Sequence, residues 1–147
     1  MTALNAPVLV LEDSDEDFET LVEATNRSKL RHDFQRATTG DECLARLKGS
    51  EGVRLLPSII LLDLNTPGMD GRETLAVIRA DPELSCVPVV ILSTSANPRD
   101  VSYCYAHGAN AYHVKPVRYE QHLELVDEIF SYWFERAVLS HGKGLPT

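Results

Sequence analysis

Three apolar runs, PVLVLE at 7–12, PSIILLD at 57–63 and VPVVILS at 87–93, constrain this chain more than any other feature. Each is too short for a buried helix, and none alternates apolar with polar residues as a half-exposed strand would. Continuous apolar runs of this length are strands covered on both faces, the pattern of a parallel sheet. DFQRAT at 33–38 alternates and reads as a shorter strand, and Asn110–Val114 reads as a fifth.

The segments between the strands supply the cover. Ser14 is an N-cap candidate, after which Phe18, Leu21, Val22 and Ala24–Thr25 recur at helical spacing. Cys43, Leu44 and Leu47 do the same within Gly40–Lys48, and a polar loop with Gly49, Ser50 and Gly52 follows. NTPGMDG at 65–71 is dense in turn residues and leads into a helix over Arg72–Ala80. Further helices are predicted over 97–107 and 118–138, with Gly71 and Gly108 as turn and helix-end residues. Strands alternating with helices imply one parallel sheet covered on both faces. The fold expected is α/β: a flavodoxin-like doubly wound five-stranded parallel sheet, (βα)5, in a single domain. That domain is expected over residues 1–140, with a flexible tail at 141–147.

Charge narrows the partners. The chain carries 22 Asp and Glu against 14 Lys and Arg, a net charge of −8, with no Lys/Arg block. Nucleic acid and anionic membrane are therefore poor partners on bulk electrostatics. The cysteines Cys43, Cys86 and Cys104 are odd in number and lack CxxC spacing, which suits reduced thiols in a cytoplasmic protein. No window approaches the ~20 apolar residues of a membrane span.

In a doubly wound sheet, ligands sit beyond the carboxyl ends of the strands. Strand one ends in Glu12 and Asp13, strand three in Asp63, strand four in Ser93 and Thr94, and strand five just before Lys115. Three carboxylates, two hydroxyls and an ammonium thus converge on one rim. The stretch LEDSDED at 11–17 alone holds five carboxylates in seven residues. Two carboxylates ~4 Å apart repel by about 4 kcal/mol at an intermediate dielectric, so such a cluster is either splayed into solvent or held by a cation. Mg²⁺ fits three oxygen donors in a cleft. Glu12 and Asp13 are expected to face it. Asp15, Glu16 and Asp17 are expected in the first helical turn, favoured by the macrodipole and solvent.

The set Glu12/Asp13, Asp63, Ser93 and Lys115–Pro116 resembles the receiver domain of two-component response regulators. LLDLNTPGMDG resembles that family's loop after the phospho-acceptor, and GANAYHVKP its strand-five signature. The match spans roughly residues 7–135. FSYWFERAVL and the loop at 49–57 are similar to the stand-alone regulators paired with cyanobacterial and bacterial phytochromes. The resemblance implies a signalling protein, not an enzyme, in which Asp63 accepts a phosphoryl group from a sensor histidine kinase. It implies Asp13 and Asp63 as direct Mg²⁺ ligands, the Asn65 carbonyl as a backbone ligand, and Glu12 acting mostly through water. Ser93 and Lys115 would each meet a phosphoryl oxygen, and Tyr112 would change exposure on activation. Two positions depart from the family's commoner pattern: Ser stands at 93 for Thr, and Glu stands at 12 for Asp.

Plainer readings stand beside these. A lone strand-end Ser usually bonds to backbone, a Lys before Pro is usually solvated, and Tyr112 suits a half-buried strand. An EF-hand reading of Asp13, Asp15 and Asp17 fails, because Phe18 and Ala24 stand where Gly and Glu are needed. A phosphohydrolase built on IILLDLNT lacks its general acid, since Asn65 occupies that position. A receiver-like interaction module that is never phosphorylated stays open.

The last helix carries two apolar stripes: Tyr119, Leu123, Val126, Phe130, Trp133 and Ala137, then Leu125, Ile129 and Tyr132. One stripe can pack on the sheet. The second is expected to stay exposed and, with Phe134, to form a homodimer interface at Ile129, Tyr132 and Phe134, unless residues 49–57 cover it.

Overall fold

The computed structural model describes residues 6–27 and 33–140, so the tail expected at 141–147 lies outside the described residues. The strands are β1 (Val8–Leu11), β2 (Phe34–Ala37), β3 (Ile59–Leu62), β4 (Val89–Ser93) and β5 (Ala111–Val114). The helices are α1 (Asp15–Arg27), α2 (Gly40–Lys48), α3 (Gly71–Ala80), α4 (Pro98–Ala106) and α5 (Tyr119–Ser131). All strand pairs are parallel, in the order β2-β1-β3-β4-β5. This is the flavodoxin-like doubly wound sheet.

Each apolar run buries both of its faces, as its lack of alternation requires. Leu9, Leu11, Ile60, Leu62, Val89 and Ile91 pack with Cys43 and Leu47 of α2, Leu75 and Ile78 of α3, and Cys104 of α4. The alternate residues Val8, Val10, Ile59, Leu61, Val90 and Leu92 pack with Leu21 and Ala24 of α1 and with α5. The period-two reversal of side chains divides one strand between two cores. The loop after α2 lies on the α2–α3 side, where Arg54 pairs with Asp81 at 2.7 Å and Glu83 at 2.8 Å. Its Leu55 and Leu56 join the core there, so it does not cover α5.

Two expectations for the C-terminal helix are corrected. The helix expected over 118–138 is regular only to Ser131, and Tyr132–Arg136 form a wider π turn closed by the Ala137 N–H on the Tyr132 carbonyl at 2.7 Å. Ile129, expected on the exposed stripe, is 3% exposed. The reason is geometric: α5 packs on the sheet and also against α1, so its buried arc is wide enough to take Ile129 along with Leu123, Val126 and Phe130, while Tyr119 and Tyr132 stay exposed. Phe130 and Phe34 meet as tilted rings 5.9 Å apart between centres, and Phe34 meets Phe18 of α1 edge-on at 6.2 Å. Phe134 is half-buried beside Phe130, whereas Tyr132 and Val138 are exposed.

Candidate functional site

Strand register assembles the rim. Leu11 pairs with Leu62, and the Asp63 N–H donates to the Leu11 carbonyl at 3.0 Å, which sets Glu12 and Asp63 side by side. Ser93 pairs with Val114, and the Lys115 N–H donates to the Ser93 carbonyl at 2.7 Å. Residues far apart in sequence thus share one sheet edge, with Glu12, Asp63, Ser93 and Lys115 all buried and Asp13 exposed.

Lys115 is the hub. Its Nζ lies 2.6 Å from Glu12 Oε1, 2.8 Å from Asp17 Oδ2 and 3.3 Å from Asp63 Oδ2. Burial opposes its charge, but Glu12, Asp17 and Asp63 outweigh that and hold its pKa above the ordinary lysine value. Glu12 experiences the opposite balance. Burial pushes its carboxyl up to about 7, although Lys115 and the Ser14 N–H at 3.2 Å favour the charged form.

Asp63 offers one oxygen to the Asn65 N–H at 3.2 Å and the other to Lys115. The chain passes close by at Gly71, where a Cβ would stand 2.5 Å from the Asp63 carbonyl oxygen and 2.6 Å from Leu64 Cα. Only glycine lets α3 start that near the Asp63 backbone. One carboxylate oxygen each from Glu12, Asp13 and Asp63 lies within 4.8 Å of the others. An all-oxygen set this compact suits a hard divalent cation.

The fourth strand ends in a polar junction. Ser93 Oγ accepts the Ser95 N–H at 3.1 Å, the backbone role a strand-end Ser usually has. Ser95 Oγ donates to Asp100 at 2.5 Å, and the Tyr112 hydroxyl donates to the Ser95 carbonyl at 2.8 Å. Arg72 of α3 grips Asp100 at 2.7 Å and Asp70 at 2.8 Å, which ties α3 to α4.

Three residues near the site were not singled out in the sequence. Asp17, expected to face solvent, instead binds Lys115; Asp15 does point outward and pairs with Arg36 at 2.8 Å. Ser95 joins Ser93, Asp100 and Tyr112. His122 of α5 is buried with Nε2 unpartnered and Nδ1 3.9 Å from Asp17. A signal for Asp17 exists: helical side chains lean toward the helix N-terminus, so a carboxylate three residues past the Ser14 cap points back at the strand end.

A carboxylate-lined rim with one buried ammonium, at the strand ends of a β2-β1-β3-β4-β5 sheet, defines a receiver domain. The chain belongs to the response regulator receiver domain family, whose profile matches residues 8–127. It is 36% identical to the response regulator Rcp1 of Synechocystis sp. over 134 residues, 90% of this chain and 91% of that protein. The Mn²⁺-bound structure of Rcp1 superposes with a TM-score of 0.85 at 35% identity, covering 92% of this chain and 99% of that one. The phosphorylated cyanobacterial phytochrome response regulator RcpA gives the same TM-score of 0.85 at 36% identity, over 92% of this chain and 98% of that one. A response regulator in red light signalling of R. palustris gives 0.79 at 33% identity, over 91% and 98%. The chain is a signalling receiver that resembles the phytochrome response regulators. Among the described residues, no helix is long and apolar enough to cross a membrane.

Proposed function

We propose that Asp63 accepts a phosphoryl group from a sensor histidine kinase and that the protein signals through altered contacts with other proteins in the cytoplasm. The observation that carries this reading is the Asp63 carboxylate itself: nearly buried, 3.3 Å from the Lys115 ammonium, and clustered with Glu12 and Asp13. In the transfer, an Asp63 oxygen attacks phosphorus, the new O–P bond forms, and the phosphohistidine nitrogen leaves with the electron pair of the P–N bond. Such transfer is mainly positioning and charge neutralisation. Asp13, Asp63 and the Asn65 carbonyl would hold Mg²⁺, with Glu12 acting mostly through water. When bound, the ion supplies positive charge to the transferred group.

Lys115 would neutralise one phosphoryl oxygen, and Ser93 would donate its hydroxyl to another. The Ser95 N–H supports that role by orienting Ser93 Oγ. Tyr112 would be the switch aromatic, because its hydroxyl is bonded to the very loop that Ser93 begins. The likeness to Rcp1 and RcpA supports a phytochrome as the kinase. Exposed Tyr132 and Val138, beside half-buried Phe134, support a homodimer through the C-terminal face, with Ile129 beneath it as core. The acidic net charge of −8 argues against nucleic acid as the output partner.

The test is intact mass after incubation with Mg²⁺ and a small phosphodonor, for wild type and Asp63→Asn. Wild type is expected to gain one phosphoryl group and the variant none. Equal adducts on both would move the acceptor elsewhere, and no adduct on wild type from any donor or phytochrome kinase would leave an unphosphorylated interaction module.

A further inference from the structure

The Lys115 ammonium has three N–H donors, and three carboxylates take them. With its side chain 4% exposed, water has little access to it. The two shorter bonds, 2.6 Å and 2.8 Å, run to Glu12 and Asp17, while the phospho-acceptor Asp63 is the most distant at 3.3 Å. Asp17 comes from α1 and stands outside the Glu12, Asp13 and Asp63 cluster that suits a cation. Its backbone is fixed by the Ser14 cap, whose Oγ accepts the Asp17 N–H at 3.2 Å. Ser14 in turn donates its own N–H to Glu12 Oε2 at 3.2 Å. The turn joining β1 to α1 therefore builds a rigid seat with one carboxylate on each side.

We infer that Asp17 is a positioning residue for phosphoryl transfer: with Glu12 it seats the Lys115 ammonium so that its remaining N–H is aimed at Asp63. The inference rests on Asp63 being the acceptor. Two anchors are needed because an ammonium on a four-carbon stem held at one point swings about it. When phosphorus joins Asp63, the N–H that met the free carboxylate meets a phosphoryl oxygen, and the other two stay where they are. Asp17 touches neither donor nor acceptor. It acts through Lys115.

The experiment compares wild type with Asp17→Ala, Asp17→Asn and Asp17→Glu. Phosphorylation by acetyl phosphate in Mg²⁺ is followed by intact mass over a range of donor concentrations, and Mg²⁺ affinity is measured by calorimetry. Asp17→Ala is expected to lower the limiting rate about tenfold, since sub-ångström misplacement of a charged group is felt at that scale. Half-saturating donor and Mg²⁺ affinity should stay within about twofold, because a direct cation ligand is not lost. Asp17→Asn, which keeps the shape, should fall between, and Asp17→Glu should recover most of the rate. In ¹⁵N spectra the protected Lys115 ammonium signal should be lost in Asp17→Ala and retained in Asp17→Glu. An unchanged limiting rate in Asp17→Ala, or a rate loss that follows Mg²⁺ affinity, would overturn the assignment. A wild type without an adduct on Asp63 would instead overturn the acceptor reading beneath it.

Discussion

The Tyr112 hydroxyl donates to the Ser95 carbonyl across 2.8 Å, joining β5 to the loop that leaves β4 two residues after Ser93. The same Ser95 offers its N–H to Ser93 and its hydroxyl to Asp100, so all three of its polar groups are engaged. A displacement of Ser93 therefore reaches Tyr112 through a single residue.

Removing that hydroxyl tests the link. Tyr112→Phe should cost about 1 kcal/mol, the net worth of one neutral hydrogen bond. Hydrogen exchange at the amides of residues 94–97 should accelerate, while exchange in β1 and β3 stays as in wild type. Unchanged exchange in that loop would show that Asp100 and Arg72 hold it alone.

The acidic rim makes a second prediction. Asp13 is exposed beside buried Glu12 and Asp63 and has no ion pair among the described residues, so in metal-free protein it adds repulsion that no described group offsets. Asp13→Ala should lose Mg²⁺ affinity by at least about tenfold, as removal of a direct charged ligand does. Its metal-free melting temperature should hold or rise. Wild-type Mg²⁺ affinity in the variant would put the cation at another site.

His122 gives a pH dependence with a definite sign. Burial depresses its pKa below the ordinary value, with the Asp17 carboxylate working against the shift and Lys115 with it. An imidazole whose native pKa is depressed contributes stability that is present above its unfolded pKa and is lost as pH falls through the native one. Glu12, raised by burial, gains stability as pH falls over the same range and is common to both proteins compared, so the sign is read as a difference. Between about pH 7.5 and about pH 5.5, where imidazole titrates, metal-free wild type should lose melting temperature relative to a protein without this imidazole. His122→Asn should lose less over the same interval. His113, also depressed by burial, titrates in both proteins and cancels in the comparison. Equal losses in the two proteins would remove His122 as a source of the dependence.

The C-terminal face separates packing from association. Ile129→Ala should destabilise the fold by about 2–4 kcal/mol, the cost of a cavity in a closed core. Tyr132→Glu changes a side chain that is 55% exposed, and it should leave the protein folded while shifting sedimentation from dimer to monomer. A wild type that sediments as a monomer at high concentration, with or without phosphoryl donor, would rule the dimer out.

The sequence by itself determined the five strands, their parallel pairing class and the rim. The apolar runs at 8–11, 59–62 and 89–93 are local in the chain, and burial on both faces leaves them one kind of partner. Once those runs are strands, Glu12, Asp63, Ser93 and Lys115 must share the edge at which the strands end. The direction in which Asp17 points and the burial of Ile129 were decided only by tertiary structure. Asp17 on a solvent-facing helical turn and Asp17 on Lys115 have the same local sequence, and the ammonium that distinguishes them enters from 98 residues away. Ile129 lies on a stripe that a helix resting on a sheet alone would expose, and α1 against α5 is what closes over it. Local patterns record how much of a segment is apolar and with what period. Which neighbour covers a face, or pairs with a charge, depends on how the elements pack in three dimensions.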